Sequence, residues 1–409
     1  MHLSREFELE GHIIDSGIMT HVFDKIMDMG GDFEILHFDI GKRKKDPSFA
    51  RIRVNGRDEA QLESIMSELH PLGARMPEVM DARLEAAEGD RIVPKGFYST
   101  TNHPTFVKIA GNWAPVEDIE MDCLIVVDPE AGRARCTPMD KLRREDHVVI
   151  GETGVRVTPP ERPRKVGTFE FMHGTVSSER PSETIIEKIA VEMIRLKKNG
   201  GKIGIVGGPA IIHTGAAPAL AEIIRNGCID VLFAGNALAT HDIEYNLFGT
   251  SLGMNIDTGT LVTGGHKHHI YALSEVIRAG SIRKAVESGI ITGGIMYECV
   301  KNNIPFVLAG SIRDDGPLPD VITDTMAAQD EMRKYIRNLD MVIMIGTLLH
   351  SVAVGNCLPS YVKTICVDIN PASVTKLMDR GTMQAIGVVS DAGAFLPLLA
   401  KKLKSDSVR

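Results

Sequence analysis

The sequence predicts an α/β protein whose C-terminal part is a doubly wound parallel sheet. Continuous apolar runs recur beyond residue 200, namely KIGIVGG, DVLFAGNA, IPFVLAGSI, MVIMIGT and TICVDIN. Amphipathic stretches such as SETIIEKIAVEMIRLKKNG alternate with them. Runs that are apolar on both faces and separated by helices are typical of parallel strands covered on both sides. Ligands of such sheets bind at the carboxyl ends of the strands, so the residues after each run are the candidate site.

The first 160 residues have a different pattern. Alternating runs (REFELEGHII, GDFEILHFDIG, FARIRVNG) and two amphipathic stretches (GIMTHVFDKIMDMG, EAQLESIMSELHPLG) predict the order β-α-β-β-α with a final strand. This order indicates a ferredoxin-like or ACT-like α+β module over residues 1–88. Short strands broken by turns predict a small β subdomain over residues 89–160. The segment TPPERPRKVG is the predicted linker, and residues 161–409 form the α/β domain.

Composition excludes several classes of protein. The chain has 409 residues, of which 43% are hydrophobic and 24% charged, and its formal net charge is −8. A mildly acidic chain has no general attraction to nucleic acid or to anionic membranes, and we expect neither as a partner. Six cysteines without a C-x-x-C pair indicate reduced thiols, and no apolar stretch has the length of a membrane span. We therefore expect a cytoplasmic protein, and a homo-oligomer, dimer or tetramer, since closed symmetric assemblies are common.

Glycine and small polar or acidic residues follow five of the predicted strands. The five strand ends are Gly207 to Ala210, Gly235 to Ala237, Asp314 to Gly316, Gly346 to His350, and Asp368 to Asn370. Glycine lets the backbone approach a phosphate, and an acid at a later strand end binds ribose hydroxyls in dinucleotide folds. No G-x-G-x-x-G motif follows the first strand, but the repetition favours a bound dinucleotide. We predict NAD contacts from Asn236, Asp315, Thr347 and Asp368.

Five longer segments resemble a known family. They are GGPAIIHTGAAPAL, FAGNALATHDIEYNLFGTSLG, NIDTGTLVTGGHKHHI, GSIRDDGPLPDVITD and GTLLHSVAVGN. They resemble the ornithine cyclodeaminases that carry a lysine-ketoglutarate reductase/saccharopine dehydrogenase-related region at the N-terminus. The resemblance covers essentially the whole chain. It implies NAD-dependent conversion of L-ornithine to L-proline with release of ammonia.

The C-terminal half is in turn similar to the deoxyhypusine synthase-like, Rossmann-type NAD-binding fold. This similarity implies cofactor contacts from Asn236 and Ala237 after the VLFAG strand and from Asp315 in the following acidic motif. It implies further contacts from the turn Gly346 to His350, which contains Thr347, Leu348 and Leu349, and from the pair Asp391 and Ala392. In deoxyhypusine synthase a lysine that forms an imine with substrate corresponds to His350, so an imine is not expected here.

The reaction itself indicates which groups the protein must supply. NAD that stays bound can remove a hydride from the α-carbon and return it, with no net redox change. A base and groups for the substrate's ammonium and carboxylate are then required. His350 can exchange a proton near neutral pH, and Asp315 can hold a cationic amine or the nicotinamide ribose.

The segment Gly264 to His269, GGHKHH, is the strongest local anomaly. It is open to interpretation as a solvated start of a helix, as a metal site in which His266 and His269 converge, or as part of the active site. We predict no metal and assign Lys267 to the substrate carboxylate. A cation at a helix start opposes the helix dipole unless an anion offsets it.

Two other functions remain open from the sequence. One is another NAD-linked lyase or dehydrogenase that acts on a basic amino acid, because pocket length decides between ornithine and lysine. The other is a non-catalytic sensor, in which the N-terminal module binds an amino acid and the α/β domain holds NAD as a structural ligand. Turnover of ornithine with catalytic NAD distinguishes the enzyme from the sensor.

Overall fold

The computed structural model of the chain describes residues 3–14, 16–43, 46–76, 80–158, 183–256, 260, 262, 265–314, 316–380 and 385–406. The chain divides into two compact units. Unit 1 is formed by Met1–Glu170 with Pro359–Tyr361, and unit 2 by Phe171–Leu358 with Val362–Arg409. The predicted linker lies outside the described residues beyond Thr158. No described helix combines the length and the apolar character that crossing a membrane requires.

Unit 1 begins with a three-stranded antiparallel sheet covered by two helices. Its elements are β1 (Leu3–Gly11), α1 (Ile18–Asp28), β2 (Asp32–Asp39), β3 (Ser48–Gly56) and α2 (Glu59–Leu69), and the strand order is β1-β3-β2. The strands alternate because one face of the sheet packs on the helices, with Phe7 and Ile52 fully buried in this core. The element order β-α-β-β-α is as predicted from the sequence.

Among the residues that the structure describes, which omit 77–79, no strand of this sheet follows α2. Arg75 makes a single antiparallel bridge to Glu8 of β1, with two backbone hydrogen bonds of 2.8 and 2.9 Å. A 3₁₀ turn at His70–Leu72 precedes the bridge. Pro77 follows in the sequence, and it has no N–H to extend a ladder. In the described part of the chain this sheet has three strands, whereas a complete ferredoxin-like module has four.

A seven-stranded sheet forms the rest of unit 1. Its strands are β4 (Arg83–Ala86), β5 (Thr105–Ile109), β6 (Asn112–Glu117), β7 (Leu124–Asp128), β8 (Arg133–Thr137), β9 (His147–Ile150) and β10 (Val155–Val157), in the order β10-β5-β6-β8-β7-β9-β4. The turn between β7 and β8 is capped by Asp128, which accepts hydrogen bonds from the backbone N–H of Glu130 and Ala131. Val107 and Ile125 are fully buried in its core.

Unit 2 is a doubly wound α/β domain. Its strands are β11 (Ile203–Gly207), β12 (Val231–Gly235), β13 (Thr250–Ser251), β14 (Met254–Asn255), β15 (Phe306–Ala309), β16 (Val321–Ile322), β17 (Met341–Ile345), β18 (Lys363–Asp368) and β19 (Ala385–Val389). Its helices are α3 (Glu183–Lys198), α4 (Ala210–His213), α5 (Ala217–Arg225), α6 (Asn236–Phe248), α7 (His268–Ala279), α8 (Ile282–Glu287), α9 (Ile295–Lys301), α10 (Thr325–Ile336), α11 (Leu349–Cys357), α12 (Pro371–Arg380) and α13 (Ala392–Asp406). The five predicted apolar runs are the parallel strands β11, β12, β15, β17 and β18, so this prediction is confirmed.

The sheet of unit 2 is covered on both faces. Alternate residues of β17 enter separate cores: Ile343 belongs to the core that contains Leu220 and Leu399, whereas Met344 belongs to the core that contains Val354. The strand order is β16-β15-β12-β11-β17-β18-β19. Starting from β11, the chain adds β12, β15 and β16 in turn on one side. It then returns to the centre and adds β17, β18 and β19 on the other side. The reversal lies between β11 and β17, where sheets of this type open a crevice at their carboxyl edge.

Candidate active site

Two glycines face each other at the reversal point between β11 and β17. Gly208 donates its backbone N–H to the carbonyl oxygen of Ile345 at 2.9 Å. A Cβ on Gly208 would collide with the carbonyl oxygen of Gly346 and would lie 2.8 Å from the Cβ of Thr347. Gly346 has φ of +62°, a conformation that suits glycine. The backbone turns that follow β11 and β17 therefore lie very close together. We call the space at these two glycines, which no side chain of theirs occupies, the glycine crevice.

Asn236 is the first residue of α6 and is 4% exposed. Its side-chain oxygen accepts hydrogen bonds from the backbone N–H of Leu318 at 3.1 Å and from the hydroxyl of Thr240 at 3.4 Å. These bonds tie the start of α6 to the loop after β15. The predicted cofactor contact from Asn236 thus has to come from its amide nitrogen or backbone, since the oxygen has a structural role. Ala237 is half-buried beside it.

His350 lies in the first turn of α11, directly after β17. Its Nδ1 is 3.4 Å from the hydroxyl of Thr347. Its ring packs on Gly235 so closely that a Cβ there would lie 2.7 Å from Cε1. Burial lowers the pKa of His350, and the nearby carboxylate of Asp314 raises it in part. His350 is therefore a neutral imidazole near pH 7, between the carboxyl ends of two strands.

The remaining predicted residues of this edge are more peripheral. Leu348 and Leu349 are 37% and 72% exposed. Asp368 ends β18 and accepts a hydrogen bond from the backbone N–H of Asn370 at 2.8 Å. Asp391 caps α13 by accepting from the N–H of Gly393 at 2.6 Å, and Ala392 is buried at the start of that helix. Asp315 lies outside the described residues.

A second polar cluster, which we call the histidine cluster, lies on α6 and around it: His213, His241, Glu244, Thr250, Ser251, His268 and His269. Glu244 is fully buried, yet its carboxylate accepts hydrogen bonds from four donors. The donors are the Nδ1 of His241 (2.8 Å), the hydroxyl of Thr250 (3.0 Å) and the backbone N–H groups of Leu252 (3.2 Å) and Gly253 (3.1 Å). These bonds hold the pKa of Glu244 below its usual value despite burial, which alone would raise the pKa.

Two other imidazoles of the cluster lie near His241, and a third contacts Thr250. The ring of His213 lies edge-on to it with centroids 5.0 Å apart, and the ring of His269 lies 6.4 Å away. The Nδ1 of His213 is 2.7 Å from the hydroxyl of Ser251. The Nδ1 of His268 is 2.8 Å from the hydroxyl of Thr250. The cluster is therefore a connected set of proton-exchanging groups anchored on one buried carboxylate.

Sequence reasoning did not single out His213, His241 or Glu244. The sequence does contain one signal for them. The segment ATHDIE lies in the helix that follows a buried strand, and most side chains of this helix are buried, including several polar ones. A helix interior with this many buried polar groups needs hydrogen-bond partners, which indicates a network.

Lys267 lies beside the histidine cluster, at the end of a 3₁₀ turn (Gly265–Lys267) that leads into α7. Its side chain is exposed. The side chain of His266 and all of Gly264 lie outside the described residues. Among the residues that are described, no three His, Cys, Asp or Glu side chains are grouped as metal ligands.

Family models match the chain in three consecutive regions. The LOR/SDH bifunctional enzyme conserved region matches residues 4–103, and the first region of the ArgZ-like arginine dihydrolase C-terminal part matches residues 104–186. The Rossmann-fold region of that ArgZ-like C-terminal part matches residues 187–399. An ornithine cyclodeaminase of Methanothermobacter thermautotrophicus is 63% identical over 402 residues, which is 98% of each chain. This chain belongs to the ornithine cyclodeaminase family. The resemblance read from the motifs is confirmed.

Solved structures of longer relatives cover the same residues. The apo structure of ArgZ, an arginine dihydrolase from cyanobacteria, is 40% identical with a TM-score of 0.87 over 99% of this chain and 59% of its own. AgrE of Nostoc is a bifunctional arginine dihydrolase/ornithine cyclodeaminase. Its ternary complex with ornithine and NAD⁺ is 42% identical with a TM-score of 0.55, over 100% of this chain and 58% of its own. This family member thus corresponds to one part of the bifunctional proteins.

Proposed function

We propose that this chain is an NAD-dependent ornithine cyclodeaminase, which converts L-ornithine to L-proline and ammonia by internal hydride transfer. The observation that carries the proposal is 63% identity over nearly the whole length of an ornithine cyclodeaminase. The complex of the related AgrE with ornithine and NAD⁺ supports both the cofactor and the substrate. The reversal point between β11 and β17 supports the place of the cofactor.

The residues of the carboxyl edge fit a dinucleotide. Gly208 and Gly346 have no side chain that would block the approach of a phosphate group to their backbone. When bound, NAD removes a hydride from the substrate's α-carbon and returns it after ring closure. In this proposal Asp368 binds the ribose hydroxyls of the adenosine half. Asp315 contacts the nicotinamide ribose. Further contacts come from Asn236, Ala237, Thr347, Leu348, Leu349, Asp391 and Ala392.

His350 and Lys267 act on the substrate in this proposal. Hydride can leave the α-carbon only when the α-amine is unprotonated, because the nitrogen lone pair must form the new C=N bond. His350 is neutral through burial, so its imidazole can take the proton of the α-ammonium group. Lys267, exposed at the start of α7, binds the α-carboxylate.

The test is turnover with less NAD than substrate. Purified protein is incubated with L-ornithine and substoichiometric NAD, and ammonia, proline and reduced nicotinamide are followed. Several equivalents of ammonia and proline per NAD, without accumulation of reduced nicotinamide, are expected. One equivalent of reduced nicotinamide per ammonia would identify an amino-acid dehydrogenase, and saturable binding without proline would identify a sensor. L-Lysine in a parallel reaction tests the length of the substrate.

The proposal also covers the setting of the enzyme. It acts in the cytoplasm, supplies proline biosynthesis from ornithine, and forms a dimer or tetramer. All six cysteines are free and five of them are buried, which supports a reducing compartment. Sedimentation velocity of the purified chain tests the oligomer, and a monomer over the working concentration range would contradict it.

A further inference from the structure

The proposed reaction has a simple proton balance. Ornithine enters with two ammonium groups and one carboxylate, and leaves as zwitterionic proline and an ammonium ion. The hydride leaves and returns to the same carbon, so electrons balance within the cycle. The δ-nitrogen has lost one proton and the departing α-nitrogen has gained one. Ring closure therefore needs one group that takes a proton from the δ-ammonium and gives it to the leaving amine.

His213 lies in the helical turn that follows β11, one of the two strands at the reversal point. It ends α4, the helical turn that follows Gly208. A Cβ on Gly346 at the reversal point would lie 2.9 Å from the Cβ of Ala210 in the same turn. Its side chain is exposed, in contrast to the 8% exposed His241 behind it. Its Nδ1 faces the hydroxyl of Ser251 at 2.7 Å, which leaves Nε2 as the atom that exchanges a proton.

His241 and Glu244 hold the ring of His213 from behind. The Nδ1 of His241 donates to the fully buried carboxylate of Glu244, so its tautomer and orientation are fixed. The edge-on contact of the two rings, with centroids 5.0 Å apart, leaves His213 little rotational freedom on that side. A chain of contacts thus leads from the buried carboxylate of Glu244 through His241 to the exposed imidazole of His213.

We propose that His213 is the catalytic proton carrier of ring closure, and that His241 and Glu244 are positioning residues for it. The inference rests on the proposed function and assigns a step to residues outside the cofactor crevice. Nε2 of His213 takes a proton from the δ-ammonium, the free δ-amine attacks the α-carbon, and Nε2–H protonates the α-amine. Nε2 then takes a second proton from the ring nitrogen as the C–N bond to ammonia breaks and the C=N bond of the ring forms, and it returns this proton to the ring nitrogen once the hydride is back on the α-carbon. The proton that His350 took from the α-ammonium leaves with ammonia as ammonium. His350 remains the base for the α-ammonium, so the two imidazoles act on different nitrogens.

The charges around His213 set its protonation state. Among the described residues, His269 of α7 and Glu244 of α6 contact His241, and His268 of α7 reaches the cluster through Thr250. Asp242 of α6 instead binds the N-terminus of α9 through Ile295 and Met296. Partial desolvation of the ring, one side of which packs on His241, lowers the pKa of His213; His241 lowers the pKa further, and Glu244 raises it. His213 is therefore neutral near pH 7 and ready to accept a proton.

The first test separates ring closure from hydride removal. In His213→Gln we expect kcat to fall by about 10²–10⁴-fold, the usual contribution of a general acid–base group. Hydride removal does not use His213, so reduced nicotinamide should now accumulate in a single turnover with excess enzyme, whereas ammonia release should be slow. Affinity for NAD should stay unchanged. The exposed His147→Gln in unit 1 is the matched control and should behave as wild type.

Three outcomes overturn the inference. Near-normal ammonia release by His213→Gln does so, and so does equal slowing of nicotinamide reduction and ammonia release. A weakened NAD affinity would move His213 to the cofactor site. Failure of the proposed function is distinguishable, because the wild-type enzyme would then produce no proline at all.

The second test addresses the positioning role of Glu244. Glu244→Gln replaces one of the two acceptor oxygens by an amide NH2, which disturbs the set of four donors that holds His241, and removes the charge that raises the pKa of His213. We expect kcat to fall by at least ten-fold and the acid limb of kcat/KM to move to lower pH. Glu244→Asp should restore part of kcat. A lower stability with an unmoved pH profile would show a merely structural role and contradict the inference.

Discussion

The glycine crevice and the histidine cluster both lie at the carboxyl edge of one sheet. Backbone atoms form the crevice, whereas side chains form the cluster. In the crevice, Gly208 and Gly346 matter because side chains are absent, and backbone alone defines the space. In the histidine cluster, a buried carboxylate with four donors fixes the side chains around it. In the proposed enzyme, cofactor binding therefore depends on close backbone approach, whereas proton transfer depends on hydrogen bonds between side chains.

The largest expected effect comes from filling the crevice. In Gly208→Ala the new Cβ meets the carbonyl oxygen of Gly346, which is backbone and cannot move aside cheaply. We expect a loss of about 3 kcal/mol or more in the free energy of unfolding and no detectable NAD binding. Gly227→Ala is the matched control, since it has φ of +71° but open space around its Cβ position. It should lose only about 1 kcal/mol and keep NAD affinity. Equal losses in both variants would contradict the crevice.

The next effect concerns the buried anion of the histidine cluster. The pKa of Glu244 is held below its usual value, so its charge stabilises the fold above the unfolded pKa, and this contribution is lost as the pH falls through the folded pKa. Glu244→Gln should lower the free energy of unfolding by roughly 1.5–3 kcal/mol at neutral pH. The difference from wild type should shrink in acid. Urea unfolding at several pH values measures it, and the exposed Glu287→Gln serves as control. A difference that grows in acid would refute the assignment.

A smaller effect is expected at Asp368. Asp368→Asn keeps a side-chain oxygen to accept from Asn370 but removes the charge offered to the ribose hydroxyls. NAD should bind about ten-fold more weakly, which corresponds to about 1.4 kcal/mol, while thermal stability stays near wild type. Isothermal titration gives the affinity. The corresponding Asp391→Asn isolates the contribution of the acid at the next strand end, and an unchanged Kd in Asp368→Asn removes this residue from the cofactor site.

The smallest effect on the fold is expected at Lys267. Its side chain is exposed, so Lys267→Met should change the free energy of unfolding by no more than about 0.5 kcal/mol. Loss of the carboxylate contact should nevertheless raise the KM for ornithine, and NAD affinity should not change. Steady-state kinetics with Lys284→Met as a surface control decide it. Wild-type KM in Lys267→Met would return this residue to the solvated face.

The sequence predicted the crevice better than it predicted the histidine cluster. Runs such as MVIMI are apolar on both faces, and this local pattern is sufficient to predict a parallel strand and its glycine turn. In the described residues the predicted final strand of the N-terminal module is represented by a single bridge at Arg75, and this bridge depends on long-range pairing with β1, which a local pattern does not specify. The histidine cluster joins residues from α4, α6, β13 and α7, which only the tertiary fold brings together.

His350 shows the limit within the crevice itself. Its place after a buried strand was predictable from MVIMIGTLLH, and so was its proximity to the carboxyl edge. Its packing against Gly235 was not, since that contact joins strands far apart in sequence. The prediction that His350 and Lys267 act in catalysis remains to be tested.

In the proposed reaction the hydride leaves the α-carbon and returns to it, while a proton moves from the δ-nitrogen to the departing α-nitrogen. The most direct measurement uses L-ornithine with deuterium at the α-carbon, mixed with ornithine labelled with ¹⁵N at the α-amine, under catalytic NAD. We predict that proline keeps the deuterium at its α-carbon, that the ¹⁵N appears in ammonia, and that reduced nicotinamide does not accumulate. Loss of deuterium to solvent or to accumulated reduced nicotinamide, or retention of ¹⁵N in proline, would contradict the account.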